Sequence, residues 1–331
     1  MSKNSEKASV RPARTLDAID RAQLATARGG HMSQEERERR KAFGPVQQKN
    51  HYGARMVRDF LSYLLLTVLG IIWIMPIVWV LLESFNADSQ PYQATFFPTH
   101  YSFDNYRLLF TRTDVFNFPR MFGNTFIIAC FVCIISVFFV LSVAFCMSRL
   151  RFRFRKSFMN IVLILGMFPS IMSVIAIYFI LKAMHLTGSA TTIFALILVY
   201  SAGSGAGFYV MKGYMDTIPT SLDEAARLDG CTTWQVFTKI IVPICRPMIV
   251  YQAITSFLAP WLDFVLARTI CRTQDTYTVA LGLWSMLQKE YIQDWYARFA
   301  AGAVCVSIPI ALLFMVMQRF YQESMAGSTK G

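Results

Sequence analysis

The stretch Phe126-Ile-Ile-Ala-Cys-Phe-Val-Cys-Ile-Ile-Ser-Val-Phe-Phe-Val-Leu-Ser-Val-Ala-Phe-Cys-Met147 runs for 22 residues without a charge, and directly after it come Arg149, Arg151, Arg153, Arg155 and Lys156. The hydrocarbon core of a bilayer, about 30 Å thick, is crossed by about 20 helical residues. Inside it a backbone must satisfy its own hydrogen bonds, so a run of this kind is a membrane-crossing helix with a basic end. Working outward with the same ruler, five more spans are expected at 60–82, 161–181, 193–211, 247–266 and 299–320. The fold class is therefore all-α, a polytopic membrane protein with six transmembrane helices. Two spans carry blemishes. Ser201-Ala-Gly-Ser-Gly-Ala-Gly207 softens the fourth, and Pro260 with Asp263 interrupts the fifth. Small residues let helices approach closely, and polar or broken spans persist only against protein or a watery cavity, so these two helices are expected to line a pathway.

Composition agrees: 55% of residues are apolar and 16% charged, a balance suited to lipid. The net charge of +12 does not indicate nucleic acid, because the basic residues flank the apolar runs instead of gathering on a soluble module. With the N-terminus inside, the inner segments hold 24 Lys and Arg and the outer loops 8. That asymmetry predicts both termini to be cytoplasmic. The chain then divides into a polar N-terminal extension (1–59), a membrane domain (60–320) and a cytoplasmic tail (321–331). The extension has no apolar core of the kind a cleavable signal needs. Seven cysteines, an odd number mostly in or beside apolar runs, imply no disulfide framework, and Cys130-x-x-Cys133 reads as two small packing residues on one helix face. The four histidines lie far apart outside the spans, so no metal site is expected. No cofactor is expected either.

Between the fourth and fifth spans lies a polar stretch, 212–246, with dense helix punctuation. Ser221 and Glu224 form an S-x-x-E capping box, predicting a short helix from Leu222 that Gly230 ends in a left-handed conformation. Thr232 and Gln235 form a T-x-x-Q box, opening an amphipathic helix with Val236, Phe237, Ile240 and Ile241 that Pro243 closes. Helices this short need a partner surface.

These residues carry a resemblance. Glu224-Ala225-Ala226, then Gly230, then Ile240-Ile241-Val242-Pro243 resembles the EAA loop of ABC importer permeases, with Val242 where the family pattern has Leu. Tyr277-Thr278 with Gly282, the run Phe299-Ala300-Ala301, Pro309 and the tail Ala326-Gly327-Ser328-Thr329-Lys330-Gly331 make the chain similar to the maltose and oligosaccharide group, in particular its MalG-type subunit, over most of 55–331. The resemblance implies the type I ABC importer permease fold. It also implies partners: a second, MalF-like permease subunit, two cytoplasmic ATP-binding subunits, an external solute-binding protein and a sugar or oligosaccharide as cargo. The loop would dock in a groove on the ATPase, with Glu224 as polar anchor, Ala225 and Ala226 allowing close approach, and Gly230 setting the bend. Lys330 and Gly331 would reach the ATPase from the tail.

For the cargo, Trp261 and Asp263 are the expected pathway pair, since an intramembrane carboxylate is costly and an aromatic face suits a sugar. The alternative is that Asp263 holds backbone freed by Pro260, or pairs with Arg268. A stand-alone secondary transporter would show inverted repeats and paired midplane charges, and neither is visible. A membrane enzyme would show catalytic motifs, and no H-E-x-x-H, G-x-S-x-G or P-loop occurs. Any ATP hydrolysis therefore resides in other subunits.

Overall fold

The computed structural model describes residues 52–88, 91 and 96–328. The polar extension up to residue 51, and Lys330 and Gly331, lie outside these residues. The chain divides into two compact units, 1–71 and 72–331. The described part of the first is the opening of α1 (Tyr52–Ser84), where Phe60, Leu61 and Leu65 are exposed. A helix with apolar residues on every face has no polar side to turn to water, so lipid or another chain must surround it.

The second unit is built round α3 (Phe118–Arg149). Asn117 caps it, its side chain accepting from the Arg120 N–H at 3.1 Å, and Pro119 occupies its first turn, where a missing N–H costs nothing. Its neighbours are α6 (Thr192–Gly203), α7 (Gly207–Asp216), α10 (Arg246–Leu262) and α12 (Val279–Met286). Helix α12 approaches through Gly282, where a Cβ would stand 2.3 Å from Met121 Sδ. At the Arg149 end, Val140, Leu141, Ala144 and Phe145 of α3 pack with Phe208, Met211 and Met215 of α7. Toward the other end, Ile128 and Val132 pack with Ala195, Leu196, Leu266 and Ile270. There α2 (Asp104–Thr111) also joins the long last helix α13 (Ile292–Ser328).

Among the described residues four helices are long and apolar enough to cross a membrane, and six if each of two bent pairs counts as one span. The expected third span, 161–181, is one of those pairs. It breaks into α4 (Arg155–Gly166) and α5 (Ser170–Ala183), bent by 106°. Pro169, with φ −58° and ψ 125°, has no N–H to continue the ladder and pushes the preceding residue out of helical geometry. The softened fourth span holds together as α6 and α7 joined by a 3₁₀ turn at Ser204–Ala206. In the fifth span Pro260 lies inside α10, and the helix stops two residues later, at Leu262. Proline is tolerated in membrane helices where the surroundings re-satisfy the freed carbonyl.

Candidate functional site

The punctuated loop folds as two helices, α8 (Ser221–Leu228) and α9 (Thr233–Ile244), the latter widened to a π-helical turn at Phe237–Ile241. The second capping box forms as expected. The Thr232 hydroxyl oxygen accepts from the Gln235 N–H at 3.3 Å, and Gln235 Oε1 accepts from the Thr232 N–H at 2.8 Å. The first box does not form. Thr220, not Ser221, precedes the helix, with φ −67° and ψ −19°, and no side-chain cap bond is made. Because Thr220 is itself helical, Ser221 already lies in the first turn, and the carbonyls of Pro219 and Thr220 take the first helical N–H groups. Side-chain caps need the extended backbone that Thr232 has and Thr220 lacks. Glu224 is thereby freed from capping and stands exposed.

Gly230 has φ +84°. Its own N–H donates to the Arg227 carbonyl, and the next N–H, of Cys231, reaches back to Ala226 at 2.9 Å. This left-handed closure satisfies the last carbonyls of α8 and redirects the chain into α9. Pro243, expected to close the second helix, does not. The π-turn just before it, in which the Val242 N–H donates to Phe237, widens the helix where a proline ring would otherwise strike the preceding turn. The chain instead turns by 79° at Cys245 into α10. Ile240 packs half-buried against the core and Pro243 is exposed.

One face of this helix pair is anchored in the membrane domain. Val236, Phe237, Ile241 and Ala226 join the α3–α7 core, with the Phe237 ring packed at a tilt against Phe145, 4.8 Å between centroids. Ala226, expected to face a partner, is thus turned inward, since it shares the helical face of Asp223 three residues earlier. Asp223 is the residue that the sequence reading missed. Its Oδ2 lies 2.8 Å from Arg149 Nε at the end of α3, with 10% and 5% of the two side chains exposed. Arg149 also donates from Nη2 to the Ile218 carbonyl at 2.9 Å. One residue earlier, the Ser148 hydroxyl donates to Asp216 Oδ1 at 2.6 Å, and Lys212 bonds the other oxygen of that carboxylate. The signal was present in the sequence: an acidic residue beside Glu224 in phase with Ala226, and a basic residue closing the longest apolar run.

The opposite face is open. Glu224, Ala225, Arg227 and Asp229 are exposed, Leu228 is 89% exposed and Trp234 64%. Two large apolar side chains are therefore held outward across a rigid turn.

The expected pathway pair has a different environment. Trp261 is buried, packed on Phe122 at 5.3 Å and Phe257 at 6.0 Å between centroids. Asp263 accepts from the Tyr200 hydroxyl at 2.7 Å and from the Ala267 N–H at 3.2 Å. It thus takes N–H groups in the first turn of α11 (Val265–Ile270) and does not hold backbone freed by Pro260, which is a carbonyl and itself an acceptor. Arg268 does not pair with it, and lies instead over the Trp284 ring at 4.5 Å. Among the described residues, no group of three or more His, Cys, Asp or Glu is placed to hold a metal ion.

Bent and continuous apolar helices, with a helix pair tied to one end of the bundle and exposed on its other face, define a multi-pass membrane protein. The chain belongs to the family of binding-protein-dependent transport system inner membrane components, whose sequence profile matches residues 139–327. It is 35% identical over 279 residues, 84% of this chain and 97% of the relative, to the galactooligosaccharides transport system permease protein GanQ of Bacillus subtilis. To the maltodextrin transport system permease protein MdxG of the same organism it is 33% identical over 280 residues, 84% and 98% of the two chains. A crystal structure of a bacterial ABC transporter involved in the import of the acidic polysaccharide alginate shares the fold. Its TM-score is 0.68 at 19% identity, covering 84% of this chain and 100% of that one. The fold is thus that of a type I ABC importer permease.

Proposed function

We propose that this chain is one of the two membrane-spanning subunits of a carbohydrate importer and that α8 and α9 couple it to a separate ATPase. The observation that carries this reading is the two-sidedness of α8. Asp223 and Ala226 lock one face to the membrane domain, and Glu224, Ala225 and Leu228 are left on the other. Force applied to the open face passes to α3 through the Arg149 ion pair and to α7 through the shared core. Glu224 is the polar anchor, Leu228 and Trp234 are the apolar ones, and Gly230 fixes the angle between the two helices.

The basic asymmetry puts this end of the bundle, with both termini, on the cytoplasmic side. The remaining partners are those that the resemblance implies: a second, MalF-like permease, two ATP-binding subunits at the α8–α9 face, and a solute-binding protein at the opposite end. Lys330 and Gly331 of the tail would also reach the ATPase, as the resemblance implies. Oligosaccharide cargo is supported by the relatives' names, with galactooligosaccharides and maltodextrins both within that class. A permease for another solute is the competing reading.

The test is to purify the chain from its native membrane, wild type and Leu228→Asp. Wild type should bring an ATP-binding subunit and a second permease with it, and the variant should keep the permease and lose the ATPase. Purification of wild type without any ATPase would overturn the reading. Uptake of labelled oligosaccharides against labelled amino acids decides the cargo class.

A further inference from the structure

From the end of α3 into the first turn of α4 the chain reads Leu150-Arg151-Phe152-Arg153-Phe154-Arg155-Lys156, alternating cations with aromatic rings. Both ends of the segment are fixed. Arg149 is held by Asp223 and the Ile218 carbonyl. On the far side, Met159 packs into the α3–α7 core and its carbonyl accepts a hydrogen bond from the Tyr209 hydroxyl, while the Phe158 ring lies 6.1 Å from that of Phe208. Between these anchors Arg151, Arg153 and Lys156 are exposed and form no ion pair with any of the described residues. The nearby carboxylates are already engaged, Asp216 by Ser148 and Lys212 and Asp223 by Arg149. Phe154 is 72% exposed and Phe152 43%. A positive-inside signal needs only the charges. It does not account for two phenylalanines held out among them at the depth where a span ends.

We propose that Arg151, Arg153 and Lys156, with Phe152 and Phe154, form a binding site for an anionic phospholipid of the leaflet that this end of α3 reaches. The guanidinium groups take the headgroup phosphate through paired N–H donors, and the rings enter the boundary between headgroups and acyl chains. Charge complementarity selects the occupant, because a zwitterionic headgroup offers no net charge to three unpaired cations. The site adjoins the Arg149–Asp223 pair, so a bound lipid bears on the base of the tie that holds α8.

The assembled transporter, in nanodiscs of phosphatidylcholine, is doped with photoactivatable phosphatidylglycerol or photoactivatable phosphatidylcholine, illuminated, and its crosslinked peptides are mapped. Crosslinks at 150–158 should favour phosphatidylglycerol by about fivefold or more, and the preference should fall away in high salt. R151Q/R153Q should bring the yield down to the phosphatidylcholine level, and R151K/R153K, which keeps the charge and loses the paired donors, should retain only part of it. Equal labelling by both lipids, or a preference indifferent to salt, overturns the proposal. So does unchanged lipid labelling in R151Q/R153Q together with loss of the ATPase on purification, which would make the segment a protein contact. If R151Q/R153Q does not assemble, the wild-type preference and its salt dependence still decide.

Discussion

Arg149 Nε and Asp223 Oδ2 stand 2.8 Å apart at the junction of α3 and α8, both side chains almost wholly shielded from solvent. The contact is an ion pair by distance without good hydrogen-bond alignment, and Asp223 Oδ1 finds no donor among the described residues. Such a pair specifies a position more than it adds stability, because the cost of desolvating two charges offsets most of their attraction. Its evident use is to fix α8 to the end of the central helix.

Removing one partner should cost more than removing both. Asp223→Ala leaves a buried, uncompensated guanidinium, worth about 3–5 kcal/mol, and should lower membrane abundance and uptake. The double variant R149M/D223L should recover abundance. Quantitative immunoblotting of membranes beside uptake assays measures this, and a double variant worse than Asp223→Ala would refute the ion-pair account.

Glu224 and Leu228, on the other face of the same helix, should behave differently. Leu228→Ala and Trp234→Ala remove largely exposed side chains, Trp234 lying with its ring 5.4 Å from that of Phe237, so membrane abundance should stay close to wild-type level. If they are interface anchors, each should weaken ATPase retention by about 2 kcal/mol, roughly thirtyfold in affinity. Titrating the purified ATPase against the variants in detergent or nanodiscs gives the number, and unchanged affinity in both would remove these residues from the interface.

Gly230 has open space around it, with nothing within 4 Å of an added Cβ, yet its φ is +84°. The restriction is therefore conformational. Gly230→Val should strain the turn by roughly 1–2 kcal/mol and swing α9 relative to α8. The protein should reach the membrane and fail to retain its ATPase, whereas Gly230→Asn, which tolerates this conformation, should stay near wild type. Parallel assays of abundance, ATPase retention and uptake separate a geometric role from a folding one.

Cys271 gives a pH-dependent probe of the opposite end of the bundle. Burial pushes its thiol up to about 12, and the S–H donates to the Thr276 carbonyl at 3.2 Å. The folded protein thus keeps this proton at pH values where the unfolded chain has lost it. The resulting stability is present below the ordinary thiol range and is lost as pH rises from there toward 12. A maleimide should leave Cys271 unmodified at pH 8 in intact membranes and label it after denaturation. Rapid native labelling would contradict the burial.

Topology is open to reporter fusions. A reporter active only outside the cytoplasm should be silent after Lys330 and active after Gln288. The reverse pattern would invert the orientation read from the basic residues.

The sequence alone determined the positions and composition of the apolar segments, because crossing lipid imposes a length and an apolarity that 126–147 and its fellows satisfy locally. It determined the Thr232–Gln235 box and the left-handed Gly230 for the same reason, since each is settled within a few residues. What only the tertiary structure decided was direction. Pro169 breaks a span where Pro260 does not. Ser221 loses its capping role because Thr220 is drawn into the helix. Ala226 faces inward while Ala225 beside it faces out, and Asp263 is taken by Tyr200 and the start of α11. In each case the outcome depends on which neighbour 50 or more residues away, or which turn of backbone, occupies the adjoining space. The pairing of Arg149 with Asp223 is of this kind: each residue is unremarkable in its own segment, and only the packing of α8 on the end of α3 takes both charges out of water together.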